Sequence, residues 1–376
     1  MESDECEQWM LESIRLYKDL HDFELQDPTR VIEWVGEKSI CVAGYDCAKT
    51  NEILQLLVPQ KLHTKENQGL CPERDLKVEH GGFSEHPVYS LKHIPETSVL
   101  VTSGPAVGSV QVWRIGAEDK DVIKPVSTIH SEAGTETWTK IATISSSAPC
   151  LIHGSQAGNT RVSEVESAKQ IYSLGVTSRD PVSTISSLDS NTFFLCCSSG
   201  RQYMADVRQP QPAGEGTLDV SSSSNGHWCA AVRSTKQEAR SAIASLSSEG
   251  HIIVTDTRDL STPVKYARCR PSGPASAELF MCISWAPVLE DTISISGFDG
   301  TVQIYSAKSW DATMKERDPL FAHKGHSVIG VCEDGSVPRV TAHSWHPWKE
   351  RTVLSAATDG SLHVWDWSDS NSELDS

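Results

Sequence analysis

Residues 358–367 read TDGSLHVWDW: an Asp359-Gly360 turn, then a run in which polar and apolar side chains alternate. A corner glycine takes the positive φ of a tight hairpin without steric cost, and alternation with period two marks a half-buried strand. Five other segments share the form: AVGSVQVWRI (106–115), QAGNTRVSEV (156–165), SSGRQYMADV (198–207), SEGHIIVTDT (248–257) and FDGTVQIYSA (298–307). Their glycines, with Gly360, fall at 108, 158, 200, 250, 300 and 360, spaced by 50, 42, 50, 50 and 60 residues. Such recurrence predicts radial or stacked repeats and argues against two unrelated domains.

Each marker strand has strand-like neighbours. SVLVTSG, TFFLCCSS, TISISG and TVLSAAT precede the turns; VYSLKHIP, WTKIATIS, HWCAAVRS and VTAHSWHP lie further upstream. VIKPVSTI, KQIYSLGV, PVKYARC and PLFAH follow the marker strands. Four short strands in every 40–60 residues define a propeller blade. RVIEWVG, KSICVAGY and NEILQLLVP add three strands of a seventh unit, with Tyr45–Thr50 as a longer turn. The predicted fold is all-β: a seven-bladed β-propeller over residues 22–367. Residues 1–21 are predicted as an acidic segment with an amphipathic helix, and 368–376 as an acidic disordered tail. The helical pattern is EQWMLESIRLYKDLHDF, with Met10, Ile14 and Tyr17 on one face. Segments 116–124, 208–226, 270–278, 308–318 and 326–339 are expected as exposed loops, with parts of 208–216 and 221–227 disordered.

The outer edge of TDGSLHVWDW needs a partner, because an open edge invites aggregation. The expected donor is DFELQ (22–26), pairing with LHVWDW to close the ring.

Composition narrows the function. The chain carries 33 basic and 50 acidic residues, a net charge of −17. No window is dense in Lys and Arg (KYARCR at 265–270 is the longest basic-leaning stretch), so direct nucleic-acid binding is disfavoured and a basic protein surface is the better electrostatic match. No apolar run approaches the roughly 18 residues of a membrane helix, and MESDECEQWM lacks the apolar core of a secretory signal. The 11 cysteines, none in a CxxC pair, are read as buried free thiols in a reducing compartment. No catalytic, metal or cofactor site is assigned. GSQAG (154–158) places its serine one position early for a GxSxG elbow. His80, His86 and His93 lack acidic or cysteine partners at ligand spacing. His343 and His346 sit on or beside a strand, on opposite faces.

TDGSLHVWDW resembles the turn and third strand of a WD40 repeat, and FDGTVQIYSA and AVGSVQVWRI resemble degenerate ones. In the WD40 family a turn Asp, a second-strand Ser or Thr, a third-strand Trp and a preceding His form a hydrogen-bonded tetrad. The resemblance implies that Asp359, Ser355 and Trp365 fill three positions and assigns His326 the fourth, although it lies 21 residues before Pro347, farther than the family's spacing. WMLESIRLYKDL, the PERD-containing stretch 65–85 and SWHPW (344–348) are similar to one branch of the family. That similarity implies a non-enzymatic, cytoplasmic assembly factor for the RNA endonuclease module of the Integrator complex. Its partners would be Integrator subunits 9 and 11. The alternative is a scaffold at spindle poles with microtubule-associated partners; microtubule surfaces are acidic, so such a role would suit an adaptor.

Candidate partner contacts follow from aromatic residues on exposed elements. They are Glu5, Glu7, Trp9, Met10 and Leu11 in the N-terminal segment, and Trp310 and Trp348 in loops. Trp9 has two open readings, contact with a partner or packing of the helix on the propeller. Trp113, Trp285, Trp345 and Trp365 lie in blade strands and are expected in the core.

Overall fold

The computed structural model describes residues 2–25, 27–44, 51–59, 75–105, 108–116, 121–131, 137–144, 148–218, 226–233, 241–270, 280–330, 332 and 335–368, with side chains from Glu7 onward. Helix α1 (Glu2–Leu16) leads into strand β1 (Tyr17–Glu24), and β1 with the strands that follow it forms seven antiparallel four-stranded sheets. Blade 1 comprises β2 (Thr29–Val35), β3 (Ser39–Gly44), β4 (Asn51–Leu57) and β5 (Lys77–Ser84). Blade 2 comprises β6 (Ser90–His93), β7 (Val99–Ser103), β8 (Ser109–Ile115) and β9 (Ile123–His130), and blade 3 β10 (Lys140–Ile144), β11 (Cys150–Gly154), β12 (Arg161–Glu164) and β13 (Gln170–Ser173). Blade 4 holds β14 (Val182–Ser187), β15 (Thr192–Cys197), β16 (Arg201–Asp206) and β17 (Gly214–Thr217). Blade 5 holds β18 (Trp228–Arg233), β19 (Ala242–Ser247), β20 (His251–Asp256) and β21 (Asp259–Arg268). Blade 6 holds β22 (Cys282–Trp285), β23 (Thr292–Ser296), β24 (Val302–Ser306) and β25 (Phe321–His323). Short helix α2 (Gly325–Ile329) then leads to β26 (Val340–Trp345), β27 (Thr352–Ala357) and β28 (Ser361–Trp367), and β1 completes blade 7.

The first strand of every blade touches the first strands of the blades on either side, and the circuit closes from β26 to β2. Second strands are sandwiched between neighbouring blades, so both their faces are buried, as in SICVAG, CLIHG and TVLSAA. That double burial explains why these segments read as apolar or small-residue runs without alternation. Between blades 7 and 1, Ile32, Ile40 and Leu56 pack with Leu354, Leu362 and Val364, so the junction is a hydrophobic core in its own right. Cysteines are core residues elsewhere in the ring: Cys41, Cys196, Cys197 and Cys229 are buried free thiols, Cys282 is half-buried, and Cys196 and Cys197 join different clusters.

The closing strand is longer than DFELQ. Pairing runs from Tyr17↔Trp367 through Leu20↔Trp365 to Phe23↔Leu362 and Glu24↔Ser361, with an irregularity between Tyr17 and Asp19. The helix therefore stops at Leu16, and Tyr17 leaves the face shared with Met10 and Ile14. The ladder with β28 overrides the helical pattern of YKDLHDF, because it supplies backbone partners and buries Tyr17.

Two outer strands fall in segments the sequence presents as connections. KVEHGGFS forms β5, and GEGT forms β17 inside the expected 208–226 loop. Neither alternates in the usual way. A Cβ on Gly216 would lie 2.4 Å from the Leu260 carbonyl oxygen, so close approach to blade 5 requires glycine there. The marker glycines also divide. Gly200, Gly250 and Gly360 adopt positive φ, whereas Gly300 meets the Pro338 carbonyl oxygen at 2.6 Å from its would-be Cβ. Segment 311–317 lies along the outer edge of β21, with Tyr266 N–H donating to the Asp311 carbonyl and Arg317 N–H to that of Arg268, and so shields that edge. The expected turn at Tyr45–Thr50 and the expected disorder at 221–225 and 369–376 lie outside the described residues.

Candidate functional site

The last blade carries a continuous hydrogen-bond chain, buried at Trp365, Ser355 and His326 and half-buried at Ser361 and Asp359. Trp365 Nε1 donates to Ser355 Oγ at 3.1 Å, and Ser355 Oγ lies 2.8 Å from His326 Nε2. His326 Nδ1 is 2.7 Å from Ser361 Oγ, which donates to Asp359 Oδ1 at 2.7 Å. With Asp359 as the final acceptor, donation runs one way from indole to carboxylate. Ser361 thus stands between the histidine and the aspartate. His326 reaches this place because α2 brings it back over the blade. A side chain on Gly325 would meet His323 Cε1 at 2.7 Å and the His363 ring at 2.9 Å.

A second chain fastens β1. Tyr17 Oη lies 2.7 Å from His323 Nδ1, His323 Nε2 lies 2.9 Å from His363 Nδ1, and His363 Nε2 lies 3.1 Å from Asp22 Oδ1. The only consistent direction of donation is Tyr17 to His323 to His363 to the carboxylate. The ring of His323 stacks on Trp365 at 4.7 Å, and that of His326 on His363 at 3.8 Å. Burial pushes the Tyr17 phenol up and holds His323 and His326 well below the ordinary histidine value, with His363 adding to the effect on both. His323 and His326 therefore stay neutral near pH 7.

Ring nitrogens of His323, His326 and His363 come within 4.8 Å of one another, the spacing of a metal site. Every one of those six nitrogens already has a hydrogen-bond partner, and the His326 and His363 rings lie face to face, so their in-plane lone pairs do not converge. The donor set suits a structural network better than a metal. The Ser355–His326 pair likewise has the spacing of a nucleophile and its base, but both residues are fully buried and Ser355 is held by Trp365. Replacing Trp365 with alanine removes the indole from Tyr17, Phe321 and His323 together and is expected to cost about 3–5 kcal/mol in urea denaturation. Phenylalanine there, keeping most packing but losing the donor, is expected to cost about 1–3 kcal/mol.

Two related networks escape the sequence motifs. In blade 2, Trp113 Nε1 donates to Thr102 Oγ1 at 2.8 Å. Thr102 holds the place of Ser355, since Trp113 pairs with Leu100 as Trp365 pairs with Val353. Between blades 6 and 7, Trp345 Nε1 donates to Ser294 Oγ at 2.7 Å, and His343 bridges Ser294 and Ser296, each at 2.7 Å. The signal for the second was present in TISIS and HSW, one blade apart.

The candidate contact residues separate sharply. Trp310 is buried, correcting the expectation that its loop exposes it, and Trp9 is buried as in the second of its two readings: Trp9 packs on Tyr17 with ring centres 6.2 Å apart, and Trp310 on Tyr305 at 6.3 Å. Each indole covers an apolar strand end that would otherwise be wet. Met10 (51%), Leu11 (70%) and Trp348 (54%) are exposed, as is Ile14 at 77%. Glu7 is exposed, and the Glu5 side chain lies outside the described residues. His80 bonds Gln55 and His93 the Thr97 carbonyl, so the structure does not bring His80, His86 and His93 together as ligands. No helix among the described residues is long and apolar enough to cross a membrane.

Seven four-stranded blades, an N-terminal strand closing the last one and an Asp–His–Ser–Trp network define a WD40-type propeller. No protein-family model matches the chain. It is 63% identical over 360 residues to the Integrator complex assembly factor WDR73 of Xenopus laevis, covering 96% of this chain and 98% of the relative. Identity is 47% to the mouse protein of that name, Mus musculus (97% and 98% covered), and 44% to the human one, Homo sapiens (97% and 98% covered). The chain belongs to the WDR73 family.

Proposed function

We propose that this chain is a cytoplasmic assembly factor for the Integrator RNA endonuclease module. It would hold the subunit 9–subunit 11 pair and restrict access to the nuclease site until handover. The name shared by its relatives supports the Integrator role. The observation that carries the mode of binding is α1. Trp9 anchors the helix to the propeller, while Met10, Leu11 and Ile14 remain exposed beside Glu7 and Glu12. Three solvent-facing apolar side chains on an anchored helix are suited to an apolar pocket on a partner. A site that cleaves RNA attracts polyanions, so an acidic helix is electrostatically matched to its surroundings.

The test is Leu11→Glu with Ile14→Glu. Both positions are exposed, so the melting temperature is expected to stay within a degree or two, while binding to the purified subunit pair weakens at least tenfold. Unchanged affinity would remove α1 as the contact.

A further inference from the structure

Where blades 7 and 1 adjoin, three rings meet. Trp34 stands near the end of β2, just before the turn into β3, and Trp348 lies in the connection from β26 to β27, the equivalent turn of the neighbouring blade. His346 sits between them. Its ring centre is 4.7 Å from that of Trp34, at 59°, and 6.0 Å from that of Trp348, at 75°. Trp34 is fixed by packing against the core between the two blades, whereas Trp348 is 54% exposed.

The imidazole is set as a donor. The backbone N–H groups of Trp348 and Lys349 both donate to His346 Nδ1 at 3.2 Å, so that nitrogen carries the lone pair. Burial, with Lys349 adding to it, holds His346 down to about 4. The ring is therefore neutral near pH 7, with its one proton on Nε2. His323, His326, His343 and His363 have both nitrogens engaged. His346 is only 7% exposed, yet its Nε2–H has no partner among the described residues and is not sealed from solvent. A donor held in this way costs free energy until an acceptor reaches it. The Trp348 indole N–H has no protein partner among the described residues either. Together the three side chains offer aromatic faces and N–H donors, and no free acceptor.

We propose that this surface docks a proline-rich, extended segment of a partner protein, with a proline ring on the Trp348 indole and a backbone carbonyl accepting from His346 Nε2. Proline brings a carbonyl acceptor and no N–H, so a run of prolines suits a surface that only donates. An ordinary peptide would lay its own N–H groups against aromatic carbon. Polyproline segments settle on aromatic-lined surfaces, and their preformed extended helix lowers the cost of ordering. A cationic side chain is a poorer match, because it would meet the donor edge of the imidazole beside Lys349. A second copy is a poorer match too. The chain's own QPQP stretch (209–212) is already held against blade 3, with the Gly175 N–H donating to the Pro210 carbonyl at 2.7 Å. The inference does not rest on α1 or on its partner.

Decaproline is titrated into the full chain, with calorimetry and tryptophan fluorescence as readouts. Saturable binding is expected, weakened at least about tenfold by Trp348→Ala. Trp348→Tyr, which keeps an aromatic face and a donor, is expected to retain binding within a few fold. Ile171→Ala, exposed on blade 3, is expected to leave binding unchanged, as is the Leu11→Glu, Ile14→Glu variant, so the α1 reading and this one fail separately. A glycine–serine decapeptide is expected not to bind. No saturable binding of decaproline, equal affinity for the glycine–serine peptide, or full binding by Trp348→Ala would overturn the proposal. Self-association of the chain that Trp348→Ala abolishes would also overturn it, giving the surface to a second copy.

Discussion

A chain beginning at Leu25 is expected to aggregate and to lose its cooperative unfolding transition. Removing β1 bares the full length of β28, whose residues are almost all buried. It also takes Trp9 and Tyr17 from a cluster that includes Phe321, Trp345, Trp365 and Trp367. Each large buried aromatic is worth about 3–5 kcal/mol, and a domain's whole stability is about 5–15 kcal/mol. His323 loses its Tyr17 partner and His363 its carboxylate, leaving buried ring nitrogens unsatisfied. A chain beginning at Leu16 is the control: it lacks α1 but keeps the ladder, and is expected to fold with only the loss of Trp9. Size-exclusion chromatography and urea denaturation separate the two. A shorter chain that stays monomeric with a midpoint near the parent's would refute the closing role of β1.

Acid is expected to destabilise the propeller well above the carboxylate range. Burial holds His153, His343 and His346 down to about 4, and His323 and His326 well below the ordinary 6.5. Above pH 6.5 these groups are neutral in both states, and their contribution is fully present. Between pH 6.5 and 4 the unfolded chain takes up protons that the folded chain refuses, so stability falls with pH. At about 1.4 kcal/mol per pH unit, His153 and His343 each remove about 3 kcal/mol by pH 4, and the more solvent-screened His346 removes less. Carboxylates held low, such as Asp291, act only below their own ordinary value of 3.8, leaving the upper window to the histidines. Urea midpoints at pH 7.5 and pH 5 should differ clearly, and His343→Gln should reduce the difference. Equal midpoints would contradict this account.

The blades whose signals are local were legible. Asp359-Gly360 and the alternation of SLHVWDW mark a hairpin because turn and strand preferences act within ten residues. What failed to show depends on distant partners. GEGT is a strand because Met204 and its neighbours pair with it, and its glycines are required by Leu260 of the next blade. Tyr17 turns from helix to strand because Trp367 waits at the other end of the chain. Trp9 and Trp310 lie in segments that look like surface, yet their burial is decided by the strand ends they cover. Asp359, Ser355 and Trp365 could be placed from a motif. The resemblance also pointed to His326, but its link to Asp359 through Ser361 could not be placed, since α2 folds back across a connection of irregular length.

The clasp between β1 and β28 also sets an order of events. Tyr17 meets Trp367 across a sequence separation of 350 (17 to 367), a loop whose closure costs about 5 kcal/mol in chain entropy. That cost falls due before the contact returns anything, so ring closure is the natural bottleneck in folding. During synthesis β1 is made before the other strands and stays without its sheet until β28 has emerged. Until then the nascent chain presents an unpaired strand and an unfinished ring, the interval in which this protein most needs a chaperone.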